Sequence, residues 1–340
     1  MLKKHLRKLI LPALLNGVAF SLMYLASPAT VAAASLSGIV IFGDSLSDNG
    51  NAAYIFEKFP QLIPADLPAP KPPLYTSGRY TNGPDVTPGT AHQGTWVEQL
   101  SSKLGFADPI PGLPYFIDQT VPPGNNFAVA GAETNDGNPV SITNMVGNYL
   151  TSQPMGLSDT ALYIVFGGAN DLFRAADPVA AAPLAVASVF ANVQSLYDAG
   201  ARTFLVPNLP DLGTTPRAVQ SGKVTELHDA SLAYQAAWTT ALSDARSRAM
   251  NVIGVDLYDL YQQIVTNPAS FGLTNVTDPA QGKSFADDHL FWDILHPTTT
   301  GHSLIAGAAF SALNPVPEPS SIVLLSGGIA LMICKRRTRR

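Results

Sequence analysis

Four short, largely apolar runs, each bounded by Gly, Pro or Asn, recur along the 340-residue chain. They are rich in β-branched residues and lack the alternation of a strand with one face in water. This pattern predicts parallel strands that are buried on both faces. The predicted strands are Ile39–Phe42, Leu162–Phe166, Thr203–Val206 and Val252–Val255.

Two longer stretches between these runs have the composition and spacing of helices. Val179–Ala199 is rich in Ala and stops before Gly200, a residue type that commonly follows the end of a helix. Apolar residues recur with helical period in Thr225–Met250, which predicts a helix with one face in the core. The alternation of strand and helix predicts an α/β protein, a three-layer α/β/α sandwich around a central, mostly parallel sheet.

The N-terminal segment departs from this pattern. Residues 2–8 carry four Lys or Arg residues, Leu9–Leu25 is almost entirely apolar, and Val31–Ala34 supplies small residues. This order predicts a secretory signal peptide over residues 1–34, cleaved after Ala34. An N-terminal membrane anchor that stays uncleaved is the alternative.

The C-terminal segment is also organised in three parts. Val316–Pro319 contains the triplet Pro-Glu-Pro, the apolar stretch Ser320–Cys334 has 15 residues, and Lys335–Arg340 is basic. A stretch of that length is shorter than the roughly 20 residues that span a bilayer comfortably. The tail, residues 314–340, resembles the PEP-CTERM sorting signal, which implies a Gram-negative-type bacterium whose exosortase removes the tail after export. A short C-terminal membrane anchor is the alternative.

The charge balance changes when both ends are set aside. The whole chain has a formal charge of −5, but residues 35–315 hold 11 Lys and Arg against 24 Asp and Glu, a charge of −13. Such an acidic body is poorly suited to nucleic acid or to anionic membranes. The single Cys, Cys334, lies in the tail, so we expect neither disulfides nor thiol chemistry in the domain at residues 35–313.

The first predicted strand runs directly into the sequence GDSLSDNGN, which starts at Gly43. A tight turn there would expose Ser45 at the carboxyl end of a buried strand, where open α/β sheets place their ligand sites. A serine nucleophile needs a histidine base that a carboxylate orients. Asp293 lies three residues before His296, and Pro297 keeps His296 out of helical dihedrals. A turn-capping aspartate and a structural histidine are the alternative for this pair.

Acyl transfer also needs donors for the oxyanion that develops in the transition state. The sequence GAND follows the second predicted strand and would bring the Asn170 amide to the same sheet edge as Ser45. The sequence NFAVAGA offers the backbone N–H of Gly131. A simple turn at the end of a strand would explain either segment alone.

Together these segments resemble the conserved blocks of the SGNH, or GDSL, hydrolase family of GDSL-like lipases and esterases, in the family's order. The resemblance implies the flavodoxin-like form of the three-layer fold. It implies that Ser45 is the nucleophile, His296 its base and Asp293 the acid that orients the base. The implied oxyanion donors are the N–H groups of Ser45 and Gly131 and the side chain of Asn170. We expect no cofactor and no metal.

The resemblance covers residues 38–312, with one departure. Ser77–Gly83 is similar to a run that in lipase-like members leads almost directly into a helix with the pattern of Trp96–Leu100, but here Pro84–Thr95 is interposed. We expect this insertion to change the substrate entrance and to leave the catalytic set intact. Arg79, Asn82, Asp44 and Asp171 are expected to have structural roles and His92 a surface role. His302 has poor zinc spacing to His296 and is expected in the first turn of the last helix, and Asp48 lacks the further acids of a calcium loop. Asp287 and Asp288, which could pair with His289 or replace Asp293, lack the three-residue spacing to His296.

The sequence therefore predicts an exported serine esterase or lipase, phospholipase-like activity included, that hydrolyses carboxylic esters through an acyl-enzyme. Its expected partners are a small-molecule or lipid ester, the signal peptidase and the exosortase, with transient membrane association through the C-terminal helix. Its expected location is the periplasm, the cell surface or the extracellular matrix. Two alternatives stay open: an acetylesterase that acts on extracellular polysaccharide, and an inactive surface or matrix protein of the same fold.

Overall fold

The computed structural model of the chain describes residues 36–62, 67–72, 74–76, 78–82, 94–135, 137–283 and 286–315. The predicted signal peptide, nearly all of the predicted sorting segment, His92 and most of the insertion before Trp96 lie outside the described residues. Within the described residues, the first strand begins at Ile39 and the last helix ends at Leu313.

The described residues form one sheet of four parallel strands, which pair in chain order. Every residue of the first two strands is buried, as expected for strands covered on both faces. The fourth strand lies at the edge of the sheet and is only partly buried. Each predicted strand is confirmed, with ends that differ by at most one residue. The strands are β1 (Ile39–Gly43), β2 (Leu162–Phe166), β3 (Thr203–Pro207) and β4 (Asn251–Val255).

An extended segment, residues 125–129, runs parallel to the free edge of β1. The N–H of Ile41 donates to the carbonyl of Asn125 at 2.9 Å, and the N–H of Val129 donates to the carbonyl of Gly43 at 3.0 Å. Counted in chain order, this segment is the second strand, and β2, β3 and β4 become the third, fourth and fifth. The spatial order of the strands is then 2-1-3-4-5. This is the order of flavodoxin-like sheets, whose ligands bind at the carboxyl end of the first strand, where the strand order reverses.

Helices cover both faces of the sheet. On one face, α4 contacts β1, α6 contacts β2 and α8 contacts β4. On the other face, α10 packs against β4 and α2, and Trp96 of α2 meets Phe166 of β2 edge-on at 5.9 Å. The predicted three-layer α/β/α fold is therefore confirmed. The described helices are α1 (Asn51–Lys58), α2 (Trp96–Lys103), α3 (Leu113–Ile117), α4 (Ile142–Ser152), α5 (Ala169–Arg174), α6 (Pro178–Asp198), α7 (Pro216–Ser221), α8 (Val224–Ser247), α9 (Leu257–Thr266) and α10 (Thr299–Leu313), with 3₁₀ turns at Pro60–Leu62, Leu212–Thr214 and Pro268–Phe271.

The two helices predicted from apolar spacing correspond to α6 and α8. At the start of α6 the Asp177 side chain accepts from the N–H of Ala180 at 3.0 Å, and Gly200 follows the helix with φ 118°. Among the described residues, α6 is the helix whose length and apolar composition would also suffice to cross a membrane. Here it packs against β2, α4, α5 and α8, so its apolar side chains serve the core of this domain.

Candidate active site

Three predicted site residues follow neighbouring strands at the same edge of the sheet. Ser45 lies two residues after β1, Asn170 lies in the first turn of α5 after β2, and Gly131 follows the extended segment beside β1. Close packing holds the end of β1 in place, because a Cβ on Gly43 would come within 2.7 Å of the carbonyl oxygen of Phe166. The carboxyl ends of parallel neighbours meet at one edge, which brings these three residues together.

The structure joins Ser45, His296 and Asp293 in one hydrogen-bonded chain. The Ser45 Oγ lies 2.9 Å from the Nε2 of His296, and the Nδ1 of His296 lies 2.7 Å from the Oδ2 of Asp293. All three side chains are buried. Both distances lie within the range at which a nucleophile, a base and an orienting carboxylate act together.

The ionisation of Asp293 fixes the proton positions in this chain. Burial alone would raise the pKa of Asp293, but the positive charge of His296 and hydrogen bonds from His296 and Tyr75 outweigh burial and lower the pKa to about 2. An ionised carboxylate only accepts hydrogen bonds, so the Nδ1 of His296 carries the hydrogen between the two groups. The Nε2 of a neutral His296 is then an acceptor, and the Ser45 hydroxyl donates to it.

A tight turn aligns Asp293 with the imidazole. The Oδ1 of Asp293 accepts from the backbone N–H groups of Leu295 at 2.7 Å and His296 at 2.6 Å. The N–H of Trp292 donates to the carbonyl of His296 at 2.7 Å and closes the turn. Aspartate favours such turns because its short side chain reaches the backbone two or three residues further on. One carboxylate oxygen therefore shapes the backbone while the other orients the base.

Two tyrosines contact Asp293 and His296, and the sequence patterns assign no role to either tyrosine. The hydroxyl of Tyr75 donates to the Oδ2 of Asp293 at 2.7 Å. The ring of Tyr80 lies against the ring of His296, with centroids 4.9 Å apart, and its hydroxyl donates to the carbonyl of Pro68 at 2.7 Å. Tyr80 belongs to the Gly-Arg-aromatic run, which was a possible signal, whereas Tyr75 stands in a Pro-rich loop without a motif.

The predicted oxyanion donors are free to bind a ligand. Among the residues that the structure describes, neither the N–H of Ser45 nor the N–H of Gly131 has an acceptor. One amide N–H of Asn170 donates to the carbonyl of Ala132 at 2.9 Å, which leaves the second N–H of that amide for another acceptor. Each predicted donor therefore keeps one N–H group without an acceptor among the described residues, and two of them, Ser45 and Asn170, line the same cavity.

Gly131 occupies a turn that requires glycine. The N–H of Ala132 donates to the carbonyl of Val129 at 3.0 Å, and Gly131 sits at the third position of this turn with φ 78°. A positive φ at that position is typical of a type II turn, in which residues with a side chain are disfavoured. The N–H of Gly131 takes no part in the hydrogen bond that closes this turn.

Charged side chains anchor this turn on both sides. The Oδ2 of Asp48 accepts from the N–H of Ala130 at 2.8 Å, and the guanidinium of Arg174 donates to the carbonyl of Gly131 at 2.7 Å. Arg174 also pairs with Glu133 at 3.1 Å. The other bonds of Asp48 go to backbone N–H groups at the start of α1. The position of the Gly131 N–H therefore depends on two side chains that flank it.

Two of the aspartates expected to be structural also form hydrogen bonds close to the site. Asp44 accepts from the N–H of Leu46 at 3.1 Å, and burial raises its pKa to about 6. Asp171 accepts from the backbone and the hydroxyl of Thr134, and burial raises its pKa to about 6 as well. Both side chains hold backbone near the site, Asp44 within its own turn and Asp171 in the segment after Gly131.

The other histidines and aspartates considered from the sequence lie outside the hydrogen-bonded chain. His302 is fully buried in α10, and its Nδ1 accepts from the N–H of Trp96 at 3.2 Å. Burial lowers the pKa of His302 to about 3, so this ring is neutral. Asp288 pairs with the neighbouring His289 at 2.6 Å, while Asp293 is the carboxylate that reaches His296. Within the described segments, three or more His, Cys, Asp or Glu side chains do not gather in a way that could hold a metal ion.

Arg79 and Asn82 bind structural partners in α2 and at the start of α10. The guanidinium of Arg79 forms an ion pair with Glu98 of α2, and the Oδ1 of Asn82 accepts from the N–H of Thr299 at 2.7 Å. Glu98 also accepts from the backbone N–H of Thr95 and caps the start of α2. These contacts tie the loop that carries Tyr80 to α2 and α10.

The chain is similar in sequence to a known protein family and to several named proteins. A family model described as GDSL-like Lipase/Acylhydrolase matches residues 39–309. Esterase EstA of Pseudomonas aeruginosa is 31% identical over 335 residues, which cover 82% of this chain and 47% of that protein. A GDSL esterase/lipase of Arabidopsis thaliana is 25% identical, with 80% of this chain and 86% of that protein covered.

The chain spans about half the length of the Pseudomonas relatives that it matches. Among solved structures, the carbohydrate acetylesterase Est24 of Sinorhizobium meliloti superposes with a TM-score of 0.43 at 12% identity, covering 82% of this chain and 96% of that chain. The family model extends from β1 to within four residues of the end of α10. The chain therefore belongs to the GDSL-like lipase/acylhydrolase family.

Proposed function

We propose that this protein is an exported carboxylic ester hydrolase that works through an acyl-enzyme on Ser45. The observation that carries the proposal is the continuous hydrogen-bonded chain from the Ser45 hydroxyl through His296 to an ionised Asp293. The family membership supports the reaction class. The backbone N–H groups of Ser45 and Gly131, which lack acceptors among the described residues, support acyl transfer. This reaction develops negative charge on a carbonyl oxygen, which such donors stabilise.

The first half of the reaction forms the acyl-enzyme. The Ser45 Oγ attacks the ester carbonyl carbon while its proton passes to the Nε2 of His296. Asp293 stabilises the imidazolium that results, and the oxyanion accepts from the N–H groups of Ser45 and Gly131 and from the Asn170 amide. His296 then gives the proton to the alcohol oxygen as the ester bond breaks.

The second half restores the enzyme. Water attacks the acyl group on Ser45 while His296 accepts one of its protons, and the same donors hold the second oxyanion. The Ser45 Oγ leaves with the proton from His296, and the carboxylic acid is released. The reaction consumes one water and one ester and gives one alcohol and one acid, with no cofactor.

Hydrolysis of p-nitrophenyl esters by the purified protein tests this proposal. We expect Ser45→Ala and His296→Ala each to lower kcat by roughly 10⁴-fold or more. Ser101→Ala is the matched control, because Ser101 lies on α2 outside the site, where its buried hydroxyl donates to the carbonyl of Ala107. Turnover by Ser45→Ala at the wild-type rate would contradict the proposal. Absence of activity in a folded wild-type protein would favour the inactive surface protein.

Export is part of the same proposal and is supported by the order of basic, apolar and small residues at the N-terminus. Signal peptidase would then cut after Ala34, and exosortase would remove the segment that follows the Pro-Glu-Pro triplet. The tail would hold the protein at the membrane until that step, before it reaches the periplasm, the cell surface or the matrix. N-terminal sequencing of the mature protein is expected to start at Ser35. A mature chain that starts at Met1 would contradict cleavage.

A further inference from the structure

A small cavity adjoins the proposed catalytic residues. Ser45, Asn170 and His296 form one side of it. These residues surround the point where an ester carbonyl would meet the Ser45 hydroxyl. A substituent on that carbonyl carbon therefore extends into the cavity.

The remaining walls of the cavity are mainly apolar and belong to the packed interior, with Asp44 and Thr215 as the polar members. Leu209 and Leu212 come from the segment after β3, Tyr261 comes from α9, and Phe291 precedes the turn that carries the histidine. These four side chains are between 1 and 3% exposed. Leu295, which is only partly buried, completes the wall near the histidine. Because most of the wall is core, the cavity widens only if the core repacks, which is unfavourable in a close-packed interior.

The cavity is small for a ligand site. Its volume is about 30 Å³, whereas the apolar groove between α1, α3 and α4 measures about 520 Å³. A cavity of roughly 10–15 Å³ holds one water molecule, so the space beside Ser45 accepts only a few heavy atoms. An acetyl or propionyl group fits this description, and a long acyl chain does not.

The narrow, partly enclosed shape suits the acyl half of the ester better than the alcohol half. The acyl group stays attached to Ser45 until water releases it, so it can occupy a narrow cavity through the whole cycle. The alcohol leaves after the first step and needs a path to solvent. We propose that this cavity restricts the enzyme to esters of short acyl groups, two or three carbons long, with acetyl esters preferred. This inference rests on the proposed ester hydrolase function.

Chain-length profiles of the purified full-length protein test the inference. One series keeps the alcohol constant, as p-nitrophenyl acetate, propionate, butyrate and octanoate. A second series keeps the acetyl group and varies the alcohol. One methylene too many in a hydrophobic pocket lowers kcat/KM by roughly 10- to 200-fold, so we expect octanoate to be at least about 100-fold poorer than acetate. The size of the alcohol is expected to matter far less.

Widening the cavity is expected to move the optimum to longer chains. Leu295→Ala removes a wall that is only partly buried, so the variant retains its fold, and Leu212→Ala is a second route to the same change. Each is expected to improve the ratio of butyrate to acetate kcat/KM by about tenfold. Leu260→Ala is the matched control, because Leu260 is also partly buried but lies outside the cavity lining.

The outcomes separate this inference from the proposed function. A wild-type protein that hydrolyses octanoate as well as or better than acetate overturns the short-acyl inference and leaves the hydrolase function standing. Unchanged acyl preference in both widened variants also overturns it. A wild-type protein that hydrolyses none of the esters overturns the proposed function, and the inference with it.

Discussion

The hydroxyl of Tyr75 donates to the same oxygen of Asp293 that accepts from the imidazole of His296, at 2.7 Å in each case. The two donors come from opposite ends of the domain in sequence and converge on one carboxylate oxygen. Burial and the neighbouring Asp293 charge raise the pKa of Tyr75, so the phenol keeps its proton and remains a donor. Tyr75 therefore positions the carboxylate and shares its negative charge with His296.

Removing this hydroxyl is expected to lower the activity. In Tyr75→Phe the Oδ2 of Asp293 loses one donor, so the carboxylate that orients His296 is held less well. The kcat/KM falls by about tenfold, in line with the worth of a hydrogen bond to a charged group. Tyr163→Phe is the control, because that hydroxyl donates to the carbonyl of Ser158. Equal losses of kcat/KM in both variants would refute a role for Tyr75 at the carboxylate.

The Asn170 amide is expected to act on the transition state and not on substrate binding. Asn170→Ala removes the N–H that faces the oxyanion, so kcat falls by roughly 10²–10³-fold while KM changes little. Asn192→Ala serves as the control, since that amide donates to the hydroxyl of Thr143 outside the site. Steady-state kinetics with one short-chain ester measures both parameters. A loss confined to KM would indicate a binding role.

Arg174 is expected to support the oxyanion turn indirectly. Arg174→Met keeps the apolar stem but removes the hydrogen bonds to the Gly131 carbonyl and to Glu133, so the Gly131 N–H is held less well. We expect kcat to fall by about tenfold with KM nearly unchanged, and Arg174→Lys to restore part of the loss. Arg202→Met is the control, because the guanidinium of Arg202 also donates to backbone carbonyls, those of Tyr197 and Ala201, which lie outside the site. Wild-type kcat in Arg174→Met would exclude this support.

Asp293 is expected to contribute stability that acid removes. Its pKa is about 2 in the folded protein, against 3.8 for an aspartate in an unfolded chain. Because the folded value is the lower one, the contribution is fully present above pH ~4 and is lost as the pH falls toward ~2. Wild type is therefore expected to lose about 2 kcal/mol more unfolding free energy than Asp293→Asn between pH 5 and pH 2. Urea unfolding at both pH values measures this difference, and equal losses would contradict it.

The sheet could be predicted from the sequence because its signal is local. Runs such as Leu162–Phe166 combine β-branched composition, continuous apolar character and turn residues at both ends, and each became a strand. For residues 125–129 the sequence predicts part of a motif with an oxyanion donor but not the extended segment beside β1. Its pairing with β1 depends on hydrogen bonds across about 85 residues of chain, which no local pattern contains.

The candidate site also combines residues that the sequence motifs predict with contacts that only the fold creates. Ser45, Asp293 and His296 stand in short motifs, so their residue types were visible, but their separation of 2.9 and 2.7 Å is a property of the fold. Tyr75 carried no such signal, because its role depends on a contact with a residue 218 positions away. The cavity walls were equally hidden, since they come from five separate parts of the chain.

The most direct test of the account is the covalent labelling of the nucleophile. Incubation of the folded protein with a fluorophosphonate, followed by intact-mass and peptide mass spectrometry, reports which side chain reacts. We predict a single adduct on the peptide that contains Ser45, strongly slowed labelling in His296→Ala, and none in Ser45→Ala. An adduct on another serine, or labelling of Ser45→Ala at the wild-type rate, would contradict the assignment of Ser45 as the nucleophile.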